Sequence, residues 1–182
     1  VHSGVSTPVG NEPLEKAMQS EFDKLGPVNF DSEDASFADE IRKTLTADDI
    51  AASFQRAGCE TPPDLPLCDF VAPLERPSIG GEGSTDVGDG SWVTPTVQAR
   101  DATCAVGTPF HTWQTVAQGK APAAHKGMIH AAKVMAATAT HLINSPETLK
   151  AARDSHNKRQ NTTPYVCPIP EGQQPPVVKQ PS

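Results

Sequence analysis

Gly83-Ser84-Thr85-Asp86-Val87-Gly88-Asp89, Gly107-Thr108-Pro109-Phe110-His111-Thr112-Trp113 and Ala124-His125-Lys126-Gly127-Met128 lie within residues 80–128, and their reading decides the rest of the chain. Small residues, carboxylates and imidazoles crowd together there. Gly and Pro set tight backbone geometry, whereas Asp and His are costly to bury without partners. A plain core segment has no use for that combination, and the stretch reads as half of an active site.

Working outward, residues 96–106 carry Val97, Ala99, Ala102, Cys104 and Val106 between polar neighbours, which predicts a strand ending at Gly107. A strand placed there delivers the Gly107-Thr108-Pro109 turn and His111 to the carboxyl end of a sheet, where ligands of α/β proteins collect. A second short strand is expected near residues 68–72. Downstream, residues 123–144 form the strongest helical pattern. Met128, Ala131, Ala132, Met135, Ala139, Leu142 and Ile143 make one stripe, expected to pack on a sheet.

The first third reads as three amphipathic helices. Leu14, Ala17, Met18, Phe22 and Leu25 recur at helical spacing until Gly26-Pro27. Asp31 or Ser32 then caps a helix burying Phe37, Ile41 and Leu45, and Thr46 caps a third that points Ile50, Ala51 and Phe54 inward. Gly58 stops it. A Pro- and Gly-rich crossing over residues 59–83 follows, and after Asn144 Ser145-Pro146 restarts a polar helix that fades near Gln160. The division is 1–11 as a hinge, 12–160 as the body and 161–182 as a Pro-rich tail.

Composition excludes several function classes. The 182 residues suffice for one domain, but 18 prolines and 13 glycines leave much of it as loop. A net charge of -7 without a Lys/Arg cluster argues against nucleic acid and anionic membranes as partners. No apolar run approaches the roughly 20 residues of a bilayer span, and Val1-His2-Ser3-Gly4 does not open a signal peptide, so a cytoplasmic location is expected. Cys59, Cys68, Cys104 and Cys167 lack zinc or redox spacing. They read as reduced packing groups, with a Cys59–Cys68 bridge as the alternative.

Six residues are the candidates for chemistry. His111 follows a tight turn and suits a metal-ligand or acid/base role, against the plainer reading of a loop histidine. Trp113 beside it suggests a walled pocket. Ser84 and Thr85 are hydroxyl donors, and Asp86 can accept from an imidazole or orient a water. Asp89 reads as a helix cap ahead of Ser91-Trp92-Val93. His125 stands at a helix start and could line the site or merely pack. His130 and His141 read as structural.

At these residues the chain resembles a known family. Ser84-Thr85-Asp86-Val87-Gly88-Asp89, Ser91-Trp92, Val106-Gly107-Thr108-Pro109, His111-Thr112-Trp113-Gln114, Ala124-His125-Lys126-Gly127-Met128, Ala131-Ala132-Lys133 and Cys167-Pro168-Ile169-Pro170 resemble the aminobenzoyl-glutamate-cleaving branch of the dinuclear-metal amidohydrolases and carboxypeptidases. Aminoacylases and carboxypeptidase G belong to the same family. The resemblance implies a three-layer αβα domain with a mixed sheet, of which this chain is the C-terminal portion without the lid domain, so that residues 1–11 are the return from the lid. It implies two divalent ions, zinc or manganese, and a water directed at the amide of an N-acyl or aminobenzoyl amino acid.

By match to the family's late motif, His111 is a metal ligand, and Asp86, with Ser84 and Thr85, falls in the loop that lines the site; Trp113 and His125 join the site-lining candidates on their own positions. The family's Cys-Gly-His motif, Glu-Glu pair and Trp-His-Pro histidine are not in these 182 residues. The resemblance therefore implies no catalytic base here and an inactive isolated chain. It also implies partnership with the missing N-terminal half and a small-molecule amide substrate; a homo-oligomer is expected because the missing half leaves strand edges and the apolar stripe of the long helix uncovered. A noncatalytic binding or assembly module that kept only the pocket walls is the alternative.

Overall fold

The computed structural model describes residues 4–58, 64–75 and 85–174. Seven helices occupy them: α1 Glu12–Leu25, α2 Ser32–Arg42, α3 Ala47–Arg56, α4 Val87–Val93, α5 Trp113–Gln118, α6 Pro122–Asn144 and α7 Pro146–Thr162. No strand occurs among the described residues, so the expected three-layer αβα fold with a mixed sheet is not what this chain forms. The predicted strand over 96–106 is an irregular stretch. β-branched content favours a pleated, half-buried surface only when a neighbouring strand completes the ladder, and among the described residues that neighbour is absent. A lone bond from the Val106 N–H to the Pro66 carbonyl, 2.9 Å, ties the end of 96–106 to the 64–75 segment. The strand expected at 68–72 is likewise not formed.

Local chemistry sets the first three helices. Asn11 caps α1 by accepting from Leu14 N–H while its own amide donates to the Ala152 carbonyl of α7, 2.9 Å away and buried. One side chain thus starts a helix and fastens it to another. Asp31 with Asp34, and Thr46 with Asp49, form reciprocal capping boxes on α2 and α3. Of the residues expected inward, Ile41 and Phe54 are buried, Ile50 and Ala51 half-buried, and Phe37 exposed. Leu45 lies beyond the end of α2.

Two packing centres result. α1 lies against α6 and α7, which also touch each other, bringing together the buried faces of Leu14, Ala17 and Met18, of Val134 and Thr138, and of Ala152. The second centre gathers Ala38 and Ile41 of α2, Leu67, Ala105 and Ala123, with Phe30 against them. Charge reinforces it. Lys126 of α6 reaches both Asp31, at 2.6 Å, and the buried Asp34, so the start of α2 is clamped to the start of α6. Those carboxylates, Asp31 first, hold the Lys126 ammonium above its ordinary pKa.

α6 has the predicted span but the opposite phase. Ala123, Gly127, Val134 and Thr138 are buried, whereas Met128, Ala132, Met135, Ala139 and Ile143 of the expected inward stripe are exposed. Gly127 shows why. A Cβ there would stand 2.0 Å from the Ala102 carbonyl oxygen, so the 95–105 segment runs directly across the backbone of α6 on that side.

Candidate functional site

His111 sits between a tight turn and α5, and its backbone has φ of 63°. It is the only described non-glycine residue in the left-handed region. For a residue with a β-carbon that conformation is sparsely populated and persists only where the surroundings over-determine it. The surroundings here do so through a ladder of polar contacts. Gln118 is buried; its carbonyl oxygen accepts from Ala105 N–H at 2.7 Å and its amide donates to Thr108 Oγ1 at 3.0 Å. The Thr108 hydroxyl donates to the Ala105 carbonyl, and those of Thr112 and Thr115 both donate to the Pro109 carbonyl, each at 2.7 Å.

The turn is also pinned from outside. Gly107 N–H donates to Ser53 Oγ of α3 at 3.1 Å, and Gly107 has φ of 96°, with space for a Cβ denied by Ile50 Cγ1 at 2.8 Å. The His111 imidazole is nevertheless exposed, flanked by exposed Phe110 and Trp113. A rigid base therefore presents a solvent-facing ring. Gln118 carries this arrangement and has no distinguishing pattern in the sequence, where it is one glutamine at the end of a six-residue helix.

The second group of candidates surrounds α4. Asp86 occupies the capping position of α4 but makes no side-chain cap bond and is exposed. Thr85 is half-buried and its Oγ1 accepts from Val87 N–H at 3.3 Å. Ser84 lies outside the described residues, as does the Cys59 half of the considered bridge. Asp89 falls inside the first turn of α4 rather than capping a helix after it. It accepts from the Tyr165 hydroxyl at 2.8 Å and, at 3.4 Å, from Ser6 N–H. Those bonds, Tyr165 first, hold the Asp89 carboxyl below its ordinary range, and Tyr165 is pushed up to about 12.

Residues 6–9 lie along α4, where Val9 N–H meets Ser91 Oγ and the Trp92 indole N–H donates to the Thr7 carbonyl, both at 2.9 Å. No hydrogen bond or ion pair among the described residues joins this group to the His111 loop. His125, in the first turn of α6, is exposed.

The two histidines read as structural prove to have acidic partners from distant sequence. His130 Nδ1 lies 2.6 Å from Asp101 and His141 Nδ1 lies 2.7 Å from Glu21. His130 Nε2 is buried and unpartnered. Among the described residues no group of three or more His, Cys, Asp or Glu side chains is placed to hold a metal ion. His111 is thus a single imidazole donor, which does not fit a complete metal centre within the described residues.

No helix among the described residues is long and apolar enough to cross a membrane. No protein-family model matches the sequence, and no solved structure matches it. A curated protein does: over 179 residues, 93% of this chain, it is 38% identical to the B-type subunit of p-aminobenzoyl-glutamate hydrolase from Escherichia coli strain K12. The chain spans 37% of the length of that relative. The resemblance carried by the Ser84–Asp89, Val106–Pro109, His111–Gln114 and Ala124–Met128 runs thus extends along nearly the whole chain, which is related to a part of that hydrolase polypeptide.

Proposed function

We propose that this chain is the C-terminal part of an amidohydrolase that cleaves the amide bond of an N-acyl or aminobenzoyl amino acid, p-aminobenzoyl-glutamate being the substrate to try first. The observation that carries this reading is the 38% identity along 93% of the chain to one polypeptide of a hydrolase. Amide hydrolysis adds water to the carbonyl carbon, breaks the C–N bond and delivers a proton to the departing amine. In this reading the general base and the remaining metal donors come from the portion of such a polypeptide that the match leaves uncovered.

This chain supplies positioned groups. His111 offers one imidazole nitrogen from a loop whose framework of Gln118, Thr108 and Gly107 is fixed before anything binds, which is the preorganisation a ligand to zinc or manganese needs. The Thr85 hydroxyl already accepts from Val87 N–H, so its own proton is available to a carboxylate oxygen of substrate or product. Exposed Trp113 offers an aromatic face beside His111.

The test is release of aminobenzoate from p-aminobenzoyl-glutamate by the purified chain, alone and joined to the uncovered part of the E. coli relative. Turnover in the joined protein and none in the chain alone is the expected result. A joined, folded protein that binds the substrate without turnover would replace this reading with a noncatalytic binding module.

A further inference from the structure

α6 is apolar almost all round, although it packs on one side only. Its contacts with α1 and α7 cover the face of Val134 and Thr138. On the opposite side Met128 is 60% exposed, Ile129 53%, Met135 65% and Ile143 76%, with exposed Ala132, Ala136 and Ala139 between them. Lys133 is the lone charged residue among them between Met128 and Ile143. α7 follows the usual rule instead, since around its one buried residue, Ala152, it exposes Lys150, Arg153, Asp154, Lys158 and Arg159. A helix that is hydrophobic on every side is one buried in a larger body, and a continuous exposed apolar patch marks an interface.

We propose that the Met128–Ile143 face of α6 is the surface on which the remainder of a polypeptide of the E. coli type docks. The length of the relative points to the occupant: this chain spans 37% of it, so most of such a polypeptide lies outside the match and is available to cover an apolar face that the matched part leaves open. The assignment rests on the reading of this chain as part of that hydrolase. It also explains the phase of α6, because the expected inward stripe is the outward face of this chain and becomes the inward face of the whole.

The two exposed methionines provide the test, with buried Met18 as an internal reference. Peroxide oxidation of accessible Met sulfur, read by peptide mass spectrometry, reports which side is covered. It is applied to the 182-residue chain and to a chimera in which the chain replaces the matching segment of the E. coli relative. In the chain alone Met128 and Met135 oxidise many-fold faster than Met18, and in the chimera they fall to the rate of Met18. Unchanged Met128 and Met135 rates in a chimera that still protects Met18 would overturn the proposal. Should the chimera leave Met18 reactive, and so be unfolded, the same comparison is made with the uncovered part of the relative added in trans, where unchanged rates count equally against it.

Protection that grows with the concentration of the chain alone would overturn it in favour of a second copy. Aminobenzoyl-glutamate hydrolysis is measured on the same samples. Protection without turnover keeps the surface and rejects the hydrolase reading, whereas turnover without protection does the reverse.

Discussion

His141 Nδ1 stands 2.7 Å from a carboxylate oxygen of Glu21, closing the far end of α6 onto a buried acid of α1. Lys24 reaches the same oxygen at 2.6 Å. The Glu21 carboxyl is held below its ordinary value of 4.5, first by Lys24 and then by His141. A depressed folded-state pKa contributes stability that is fully present above that ordinary value and is lost as the pH falls through the lower folded one. Glu21→Gln should therefore cost about 1–2 kcal/mol at neutral pH, with the difference from wild type shrinking at an acid pH well below the ordinary 4.5. His141→Ala should cost less, because Lys24 still satisfies the oxygen. Urea denaturation of the three proteins at the two pH values checks both statements.

Tyr165 and Asp89 make the opposite case. The chain has one tyrosine, so an ultraviolet titration of tyrosinate reports Tyr165 alone. The Asp89 hydrogen bond, then desolvation, pushes its pKa up to about 12 from 10.0. Stability from the raised Tyr165 pKa is thus fully present below pH 10.0 and lost as the pH rises through about 12. Asp89→Asn should bring the titration midpoint back toward the ordinary value and hasten amide exchange in residues 6–9. A midpoint unmoved by the substitution would show that the hydrogen bond does not set it.

Glycines at two places should respond in opposite directions. Gly127→Ala puts a methyl 2.0 Å from the Ala102 oxygen, a backbone atom that cannot step aside without moving the whole 95–105 segment. It should destabilise by about 3 kcal/mol or more. Gly90 in α4 has nothing within 4 Å of a built Cβ and no positive φ. Gly90→Ala should stabilise by up to about 1 kcal/mol through helix propensity. Thermal melts of both variants decide the matter.

Gln118→Ala leaves the buried Ala105 N–H without its acceptor and removes a donor to Thr108. A loss of about 1–3 kcal/mol is expected, together with faster proteolysis around His111. Thr115→Ala removes a bond between half-buried partners and should cost less. Urea denaturation and limited proteolysis of the two variants check the order.

What the sequence made legible was local. Asp31 and Thr46 cap helices because a short polar side chain reaches the backbone N–H groups of its own first turn, and Gly26 and Gly58 end helices by adopting positive φ; the Asn11 cap and its bond to Ala152 were not legible. The phase of α6 was not legible, because Ala123, Gly127 and Val134 on one side and Met128, Met135 and Ile143 on the other are both apolar, and the pattern does not choose between them. Residues 96–106 misled for a related reason: β-branched residues announce a strand only when a partner exists to pair with it. The Asp101–His130 and Glu21–His141 pairs join residues 29 and 120 positions apart, and only the fold brings them together. The turn and motif single out His111, but its positive φ and the Gln118 framework under it leave no mark in the sequence.

In the proposed hydrolase assembly His111 is offered to a metal. The direct measurement is metal content together with p-aminobenzoyl-glutamate hydrolysis of the joined protein, comparing wild type, His111→Ala and His141→Ala below their unfolding temperatures. His111→Ala is expected to lose bound metal and turnover together while His141→Ala keeps both. Full metal and full turnover in His111→Ala would contradict it and return His111 to an ordinary loop histidine.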